Sequence, residues 1–328
     1  MKGVPPGKTA VVAVLVGLAS FTVGFFASRL VDLHPPAAAP KAFVPPDDAA
    51  IPKGAFGKEI ALGRYLFVDT AAAAPQFVGN DLKCSNCHLD RGRLPNSAPL
   101  WGAYGLFPQY RAKNGHVNTF QERMQGCFKY SMNGRAPPLG DPVLVALESY
   151  AAFLSGGAPL GAKLAGHGYL KLEKPPLAPD YDRGQEAYAA NCAMCHGNDG
   201  AGQKADGATV FPPVWGARSY NWGAGMADVN NAAGFIKANM PLSQGGKLTE
   251  QQAWDLATYI DSQPRPQDPR YLGSTEATRK RFHGDGNSNY GKTINGVVLG
   301  GDGPPKSVVP TGRHTTTVQL RALRGSPA

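Results

Sequence analysis

A mainly α-helical chain built from two similar domains in tandem is predicted by three observations. The pattern Cys-x-x-Cys-His occurs twice, as Cys84-Ser-Asn-Cys87-His88 and as Cys192-Ala-Met-Cys195-His196. The same landmarks recur around each copy. Gly63-Arg-Tyr-Leu-Phe67 and Gly184-Gln-Glu-Ala-Tyr188 precede them, and Pro99-Leu-Trp101-Gly-Ala103 and Pro213-Val-Trp215-Gly-Ala217 follow. Each half closes on a segment, 147–154 and 254–260, with apolar residues at three- and four-residue spacing, which marks a helix with one buried stripe. Thr249-Glu-Gln-Gln252 is a capping box that opens the second of these helices.

Cysteines three apart share one face of a helical turn, so both sulfurs reach the two vinyl groups of one porphyrin as thioethers. The adjacent histidine then offers its imidazole to the iron, which makes each motif a covalent haem c attachment site. The cofactor-binding residues are therefore Cys84, Cys87 and His88, and Cys192, Cys195 and His196. A zinc site would need two Cys-x-x-Cys pairs without the trailing histidine. At this chain's own Cys and His frequencies a single chance match is on the order of one in a thousand. The order of elements resembles the class I cytochrome c fold, in which an N-terminal and a C-terminal helix cross and the haem motif and an axial-ligand loop lie between. The fold class expected is two class I cytochrome c-like domains in tandem, each with one covalent haem c. In such a fold the carbonyl of Pro99 or Pro213 is a candidate acceptor for the ligand histidine's Nδ1–H.

The chain has 328 residues, room for two domains and appendages. Residues 1–30 read as a signal peptide or membrane anchor. Lys2 and Lys8 flank an uncharged stretch from 9 to 28, and twenty helical residues span about 30 Å. The length of the apolar run and the lack of a clean small-x-small site favour the anchor. The positive flank stays in the cytoplasm and the body crosses to the periplasm, where haem c is attached. A Pro/Ala linker covers 31–55. Cytochrome domain 1 is expected over 56–172 and domain 2 over 173–264, the break falling at Lys174-Pro175-Pro176. A basic, Gly/Pro-rich extension fills 265–328. The net charge is +9, with a local excess of Lys and Arg in that extension. The excess suits a solvated tail or the steering of an anion or an acidic redox partner. Nucleic acid is not an expected partner, because the compartment is wrong and the charges are scattered.

The open side of each iron needs a further ligand. Met240 lies 44 residues after His196 and is followed by Pro241, which restrains the backbone there. A thioether ligand suits an electron-transfer haem. Lys237, one turn earlier, and Met226 are weaker candidates. In the first half Met132 is also 44 residues beyond its histidine, while Cys127 is 39 beyond His88. Cys127 is the fifth cysteine of five, a lone thiol in an oxidising compartment. Register and chemistry leave Met132 and Cys127 even, with His116 a distant third.

Residues 57–155, centred on Phe120-Gln-Glu-Arg123-Met-Gln-Gly-Cys127-Phe-Lys-Tyr-Ser131-Met-Asn133-Gly134, resemble the dihaem thiosulfate dehydrogenase family. The second half and the Arg281-Phe-His283-Gly…Tyr290-Gly-Lys-Thr-Ile-Asn-Gly296 segment are similar too. The resemblance implies His88 and Cys127 as ligands of the first iron, with the cysteine at the substrate. It implies His196 and Met240 at the second, since the family varies there between methionine and lysine and Lys237 is not adjacent to Met240. The implied reaction is the coupling of two thiosulfates to tetrathionate, with two electrons passing to a soluble cytochrome c or another small periplasmic acceptor. Arg123 can bind sulfonate oxygens in forked geometry and, four residues before Cys127, would share its helix face. Ser131 is a candidate donor, and Arg111 and Lys113 are further cations upstream. The competing reading is a non-enzymatic, membrane-anchored dihaem electron-transfer subunit of a respiratory complex, with Met132 as ligand. A dihaem peroxidase would need an open iron position and a calcium site, for which the sequence makes no case.

Overall fold

In a computed structural model the structure describes residues 43–301 and 303; the expected signal or anchor segment at 9–28 lies outside them. Among the described residues no helix is long and apolar enough to cross a membrane. The described body is mainly helical and belongs to one compact unit.

The first lobe is framed by α1 (Ala55–Val68), which buries Ile60, Leu66 and Phe67. A hairpin of β1 (Gln109–Arg111) and β2 (His116–Asn118) pairs Arg111 with His116. It leads into α2 (Phe120–Gly126), opened by a Thr119/Glu122 capping box and continued by a π turn over Cys127–Ser131. The turn is closed by Met132 N–H donating to the Cys127 carbonyl at 2.9 Å. Such wide turns inside helices recur at functional sites. The closing helix α3 (Pro142–Leu154) starts with Asp141 accepting from Val143 N–H and Pro142 at its first position, where the missing N–H costs nothing.

The second lobe repeats the frame. α4 (Tyr181–Asn191) is capped by Asp180, a hairpin of β3 (Gln203–Ala205) and β4 (Ala208–Phe211) follows the haem motif, and α5 (Val229–Asn239) ends at Met240. α6 (Glu250–Ile260) opens with the Thr249/Gln252 capping box read from the sequence. The last helix among the described residues, α7 (Thr275–Phe282), begins at the N-cap Ser274.

α1 crosses α3, and α4 crosses α6, at a glycine. A Cβ on Gly63 would stand 1.9 Å from the Ala146 carbonyl oxygen, and one on Gly184 2.2 Å from that of Asp255. The backbones touch, so no side chain larger than hydrogen fits at either crossing. The two glycines that head the sequence repeat are thus its packing centres.

The cores do not follow the chain order. The first lobe's apolar cluster takes in Tyr220, Trp222, Tyr290 and Leu299 from far downstream. The Asn80 amide donates to the carbonyls of Ser131 (2.8 Å) and Ser219 (3.1 Å), and the Asn221 amide to the Lys129 carbonyl (3.0 Å) and to Asn133 Oδ1 (2.9 Å). The C-terminal segment packs inward as far as it is described, where Gln267 donates to the carbonyls of Gly300 and Gly303 at 2.8 Å each.

Gly184→Val should destabilise the protein by about 1–3 kcal/mol, the usual cost of forcing extra methyl groups into close packing. Thermal unfolding followed at 222 nm checks it, with Gly225→Val, whose Cβ position is open and whose φ is not positive, as the control.

Candidate functional site

The two attachment motifs each form a single helical turn, Cys84–Cys87 and Ala193–His196. In the first, the Thr70 hydroxyl binds Cys84 twice, donating to its sulfur (3.3 Å) and accepting from its N–H (3.2 Å). His88 Nδ1 lies 2.6 Å from the Ala98 carbonyl and His196 Nδ1 2.8 Å from the Pro212 carbonyl. Each ring therefore directs Nε2 away from its carbonyl partner, the state in which imidazole serves as a metal ligand. The acceptors stand one residue ahead of the prolines named from the sequence. The Pro99 carbonyl is taken by Gly102 N–H at 3.2 Å, and that of Pro213 by the Ser219 hydroxyl at 3.3 Å.

The attachment cysteines are unpaired. Burial pushes the thiols of Cys84, Cys87 and Cys192 up to about 12, so they are neutral and apolar in character. Among the described residues no three His, Cys, Asp or Glu side chains converge as a metal site. Neutral thiols three residues apart beside an oriented imidazole fit thioether attachment of a porphyrin that brings its own metal nitrogens.

Cys127 departs from this pattern. Burial raises its thiol, but the Arg123 guanidinium and the His88 imidazole more than offset it, and the net result is a value of about 6. Arg123 Nη1 donates to Cys127 Sγ at 3.1 Å, the contact expected between residues four apart on one helix. The His88 imidazole is also within hydrogen-bonding reach of the sulfur. The negative sulfur in turn raises the Arg123 guanidinium, against the effect of burial. His88 and Cys127 thus face one another, while the Met132 side chain is only 3% exposed and belongs to the hydrophobic cluster with Phe77 and Phe128. His116 is engaged at the surface with Glu122 at 3.1 Å.

The other cations gather around the same sulfur. Arg111 is half-buried on β1, and burial and the Arg123 charge lower it. Lys113 has an exposed stem, but its ammonium lies 4.2 Å from the centre of the Tyr130 ring and donates to the Gly223 carbonyl. Burial of that ammonium, with Arg270 and Arg123 nearby, brings Lys113 down to about 7. Ser131 ends the π turn half-buried, and its carbonyl holds Asn80.

Met240 ends α5 and packs against the apolar core of the second lobe, as does Cys192 of the second motif. The Lys237 ammonium is tied to the carbonyls of Gly246 (2.8 Å) and Leu248 (2.6 Å). Reaching an iron would require breaking both bonds.

Two residues of the site escaped sequence reading. Tyr169 lies among Cys87, Arg123 and Cys127, and burial raises its phenol. It is put there by the run 166–169 pairing with 96–98, through Asn96 N–H to Gly166 O and Ala98 N–H to Gly168 O, both 2.7 Å. The glycines that permit this, Gly166 and Gly168 at positive φ, were the available signal. Arg270 was read as part of a basic tail. It instead stacks 5.2 Å from the Tyr130 ring centre and pairs with the buried Asp268 at 2.6 Å. The arrangement can hold a small anion of high charge against a thiolate, since several guanidinium and ammonium groups share a pocket with one negative sulfur.

Comparisons with known proteins place this geometry. The family model described as cytochrome c oxidase, cbb3-type, subunit III matches residues 179–260. The thiosulfate dehydrogenase of Thiomonas intermedia is 55% identical over 264 residues, 80% of this chain and 84% of the relative. That of Stutzerimonas stutzeri is 50% identical over 260 residues, 79% and 85% of the two chains. The solved structure of thiosulfate dehydrogenase (TsdBA) from Marichromatium purpuratum, as isolated, superposes with a TM-score of 0.77 at 47% identity. The match covers 82% of this chain and 60% of that longer one.

Lys113 is cationic below about 7 and neutral above it. The KM for an anionic substrate should therefore rise several-fold as pH climbs through 7, and Lys113→Met should flatten the profile at the high-pH value. Steady-state kinetics between pH 5.5 and 8.5 measures both.

Proposed function

The chain belongs to the thiosulfate dehydrogenase family, and from that premise we propose that it couples two thiosulfate ions into tetrathionate at Cys127. Haem c groups held at Cys84, Cys87 and His88 and at Cys192, Cys195 and His196 would take up the two electrons for an external acceptor. One observation carries the reading: the Cys127 sulfur, held near a thiolate by Arg123, faces His88 inside a cluster of cations.

Arg123, with Arg111 and Lys113, offsets the repulsion between two dianions that must bring their outer sulfurs together. Ser131 is assigned as a hydrogen-bond donor to a sulfonate. The Cys127 thiolate bonds to the outer sulfur of the first thiosulfate, giving Cys127–S–S–SO3⁻ and releasing two electrons. The outer sulfur of the second thiosulfate then attacks that same sulfane sulfur. The Cys127 thiolate leaves, and tetrathionate departs with the new S–S bond. In this scheme Cys127 is the covalent participant and would also be an iron ligand. Held by His88 and Cys127, and by His196 and Met240, two haems would each supply a one-electron acceptor, the thiolate lowering and the thioether raising the potential, an order that would suit delivery to a soluble cytochrome c or similar small carrier. Attachment of haem c and the N-terminal sequence support a periplasmic body, with residues 9–28 as leader or anchor.

The match of residues 179–260 to an oxidase subunit favours electron carriage for the second half. It leaves out the region of Cys127, and the scheme already uses that half as the exit.

Cys127→Gly with both haems retained should lower tetrathionate formation from thiosulfate and ferricyanide by roughly a thousandfold or more, the scale of losing a nucleophile. Near-normal output would sink the mechanism. A low-spin first haem that survives Cys127→Gly and is lost in Met132→Gly would transfer the ligand role to Met132.

A further inference from the structure

Arg265 is fully buried, yet two of its guanidinium nitrogens have no partner. Nη2 donates to the Ile260 carbonyl at 2.6 Å and pairs with Asp261 Oδ1 at 3.1 Å. Nε and Nη1 are unbonded among the described residues, as is the buried indole Nε1 of Trp222. The guanidinium carbon stands 4.4 Å from the Tyr220 ring centre and 5.0 Å from that of Trp222, so these groups meet at one place. Buried donors left unpaired cost about 1–3 kcal/mol each, more when charged. Three together mark the seat of an acceptor.

That acceptor is an anion. Asp261, also fully buried, is pushed up to about 7 by burial and so balances Arg265 only in part. The Tyr220 hydroxyl donates to Asp261 Oδ1 at 3.2 Å. Tyr220 and Trp222 share an apolar cluster with Cys84, and Asn221 between them donates to the Lys129 carbonyl and to Asn133 Oδ1 at the π turn that begins with Cys127. Tyr220 therefore lies between the first motif and Arg265, whose guanidinium stacks on its ring. A free anion would have to reach an arginine side chain that is 0% exposed. A carboxylate carried in on a group attached at Cys87 is already there.

We propose that Arg265 and Trp222 hold a propionate carboxylate of the haem attached to Cys84 and Cys87. Arg265 is a positioning residue: it orients the porphyrin between His88 and Cys127 and touches no reacting sulfur. The inference rests on the reading that residues 84–88 carry a haem. The mass of that peptide from the purified holoprotein tests the reading by itself.

The test is resonance Raman spectroscopy of the propionate bending bands in wild type, Trp222→Phe, Arg265→Lys and Arg265→Leu, each with both haems verified. Partial reduction separates the two haems. The expected result is a downward shift of a first-haem band in Trp222→Phe, larger in Arg265→Leu and smaller in Arg265→Lys. Trp222→Phe removes one donor at nearly constant volume and keeps the test usable if Arg265→Leu does not fold. Unchanged bands in Trp222→Phe, or shifts confined to the second haem, overturn the proposal. A band that responds to added thiosulfate and not to Trp222→Phe assigns the donors to a free anion and overturns it equally.

Discussion

A negative sulfur away from water must be balanced, and the first lobe is arranged around the guanidinium that balances Cys127. Arg123 and Cys127 are four residues apart, so a helical backbone brings them together without any tertiary search. Tertiary structure makes the pairing consequential. The hairpin 109–118 brings Arg111 alongside, the run 166–169 adds Tyr169, and the imidazole of His88 closes the opposite side. Burial then works in opposite directions at the two kinds of cysteine. It drives the attachment thiols up to about 12, and it strengthens the electrostatic pull of Arg123 that takes Cys127 down to about 6.

The two lobes share a frame and differ at the open side of the metal site. In both, helices cross at a glycine with backbone against backbone, and a one-turn motif presents a histidine oriented by a carbonyl. In the second lobe the helix α5 ends at Met240, and Lys237 is tied to two carbonyls. In the first, the π turn stands where a methionine-bearing loop would serve, and Met132 goes to the core. The frame is common to both lobes, and a short local difference separates the surroundings of Cys127 from those of Met240.

Residues 265–301 pack against the first lobe's core instead of trailing into solvent. Asp268 is fully buried. Burial opposes its charge, but hydrogen bonds from His283 and Arg270 outweigh it and hold the carboxyl well below the usual range. Arg270 then stacks on Tyr130, inside the π turn, and His283 stacks on Tyr290 at 4.4 Å in the first core. His283 and Tyr290 thus form a brace for the site.

The sequence by itself determined the two attachment motifs, the tandem helical frame and the capping box at Thr249, because each depends on residues within a few positions of one another. It also determined that Cys127 and Arg123 share a helix face. It left Cys127 and Met132 even as seen from register, since counting positions cannot say which side chain a core absorbs. Only tertiary structure decided that Met132 is buried among Phe77 and Phe128, that the histidine acceptors are Ala98 and Pro212, and that Tyr169 and Arg270 come from distant stretches to the surroundings of Cys127 and the π turn. Those placements follow from chain segments tens to over a hundred residues apart packing at ångström range, and no local pattern encodes them.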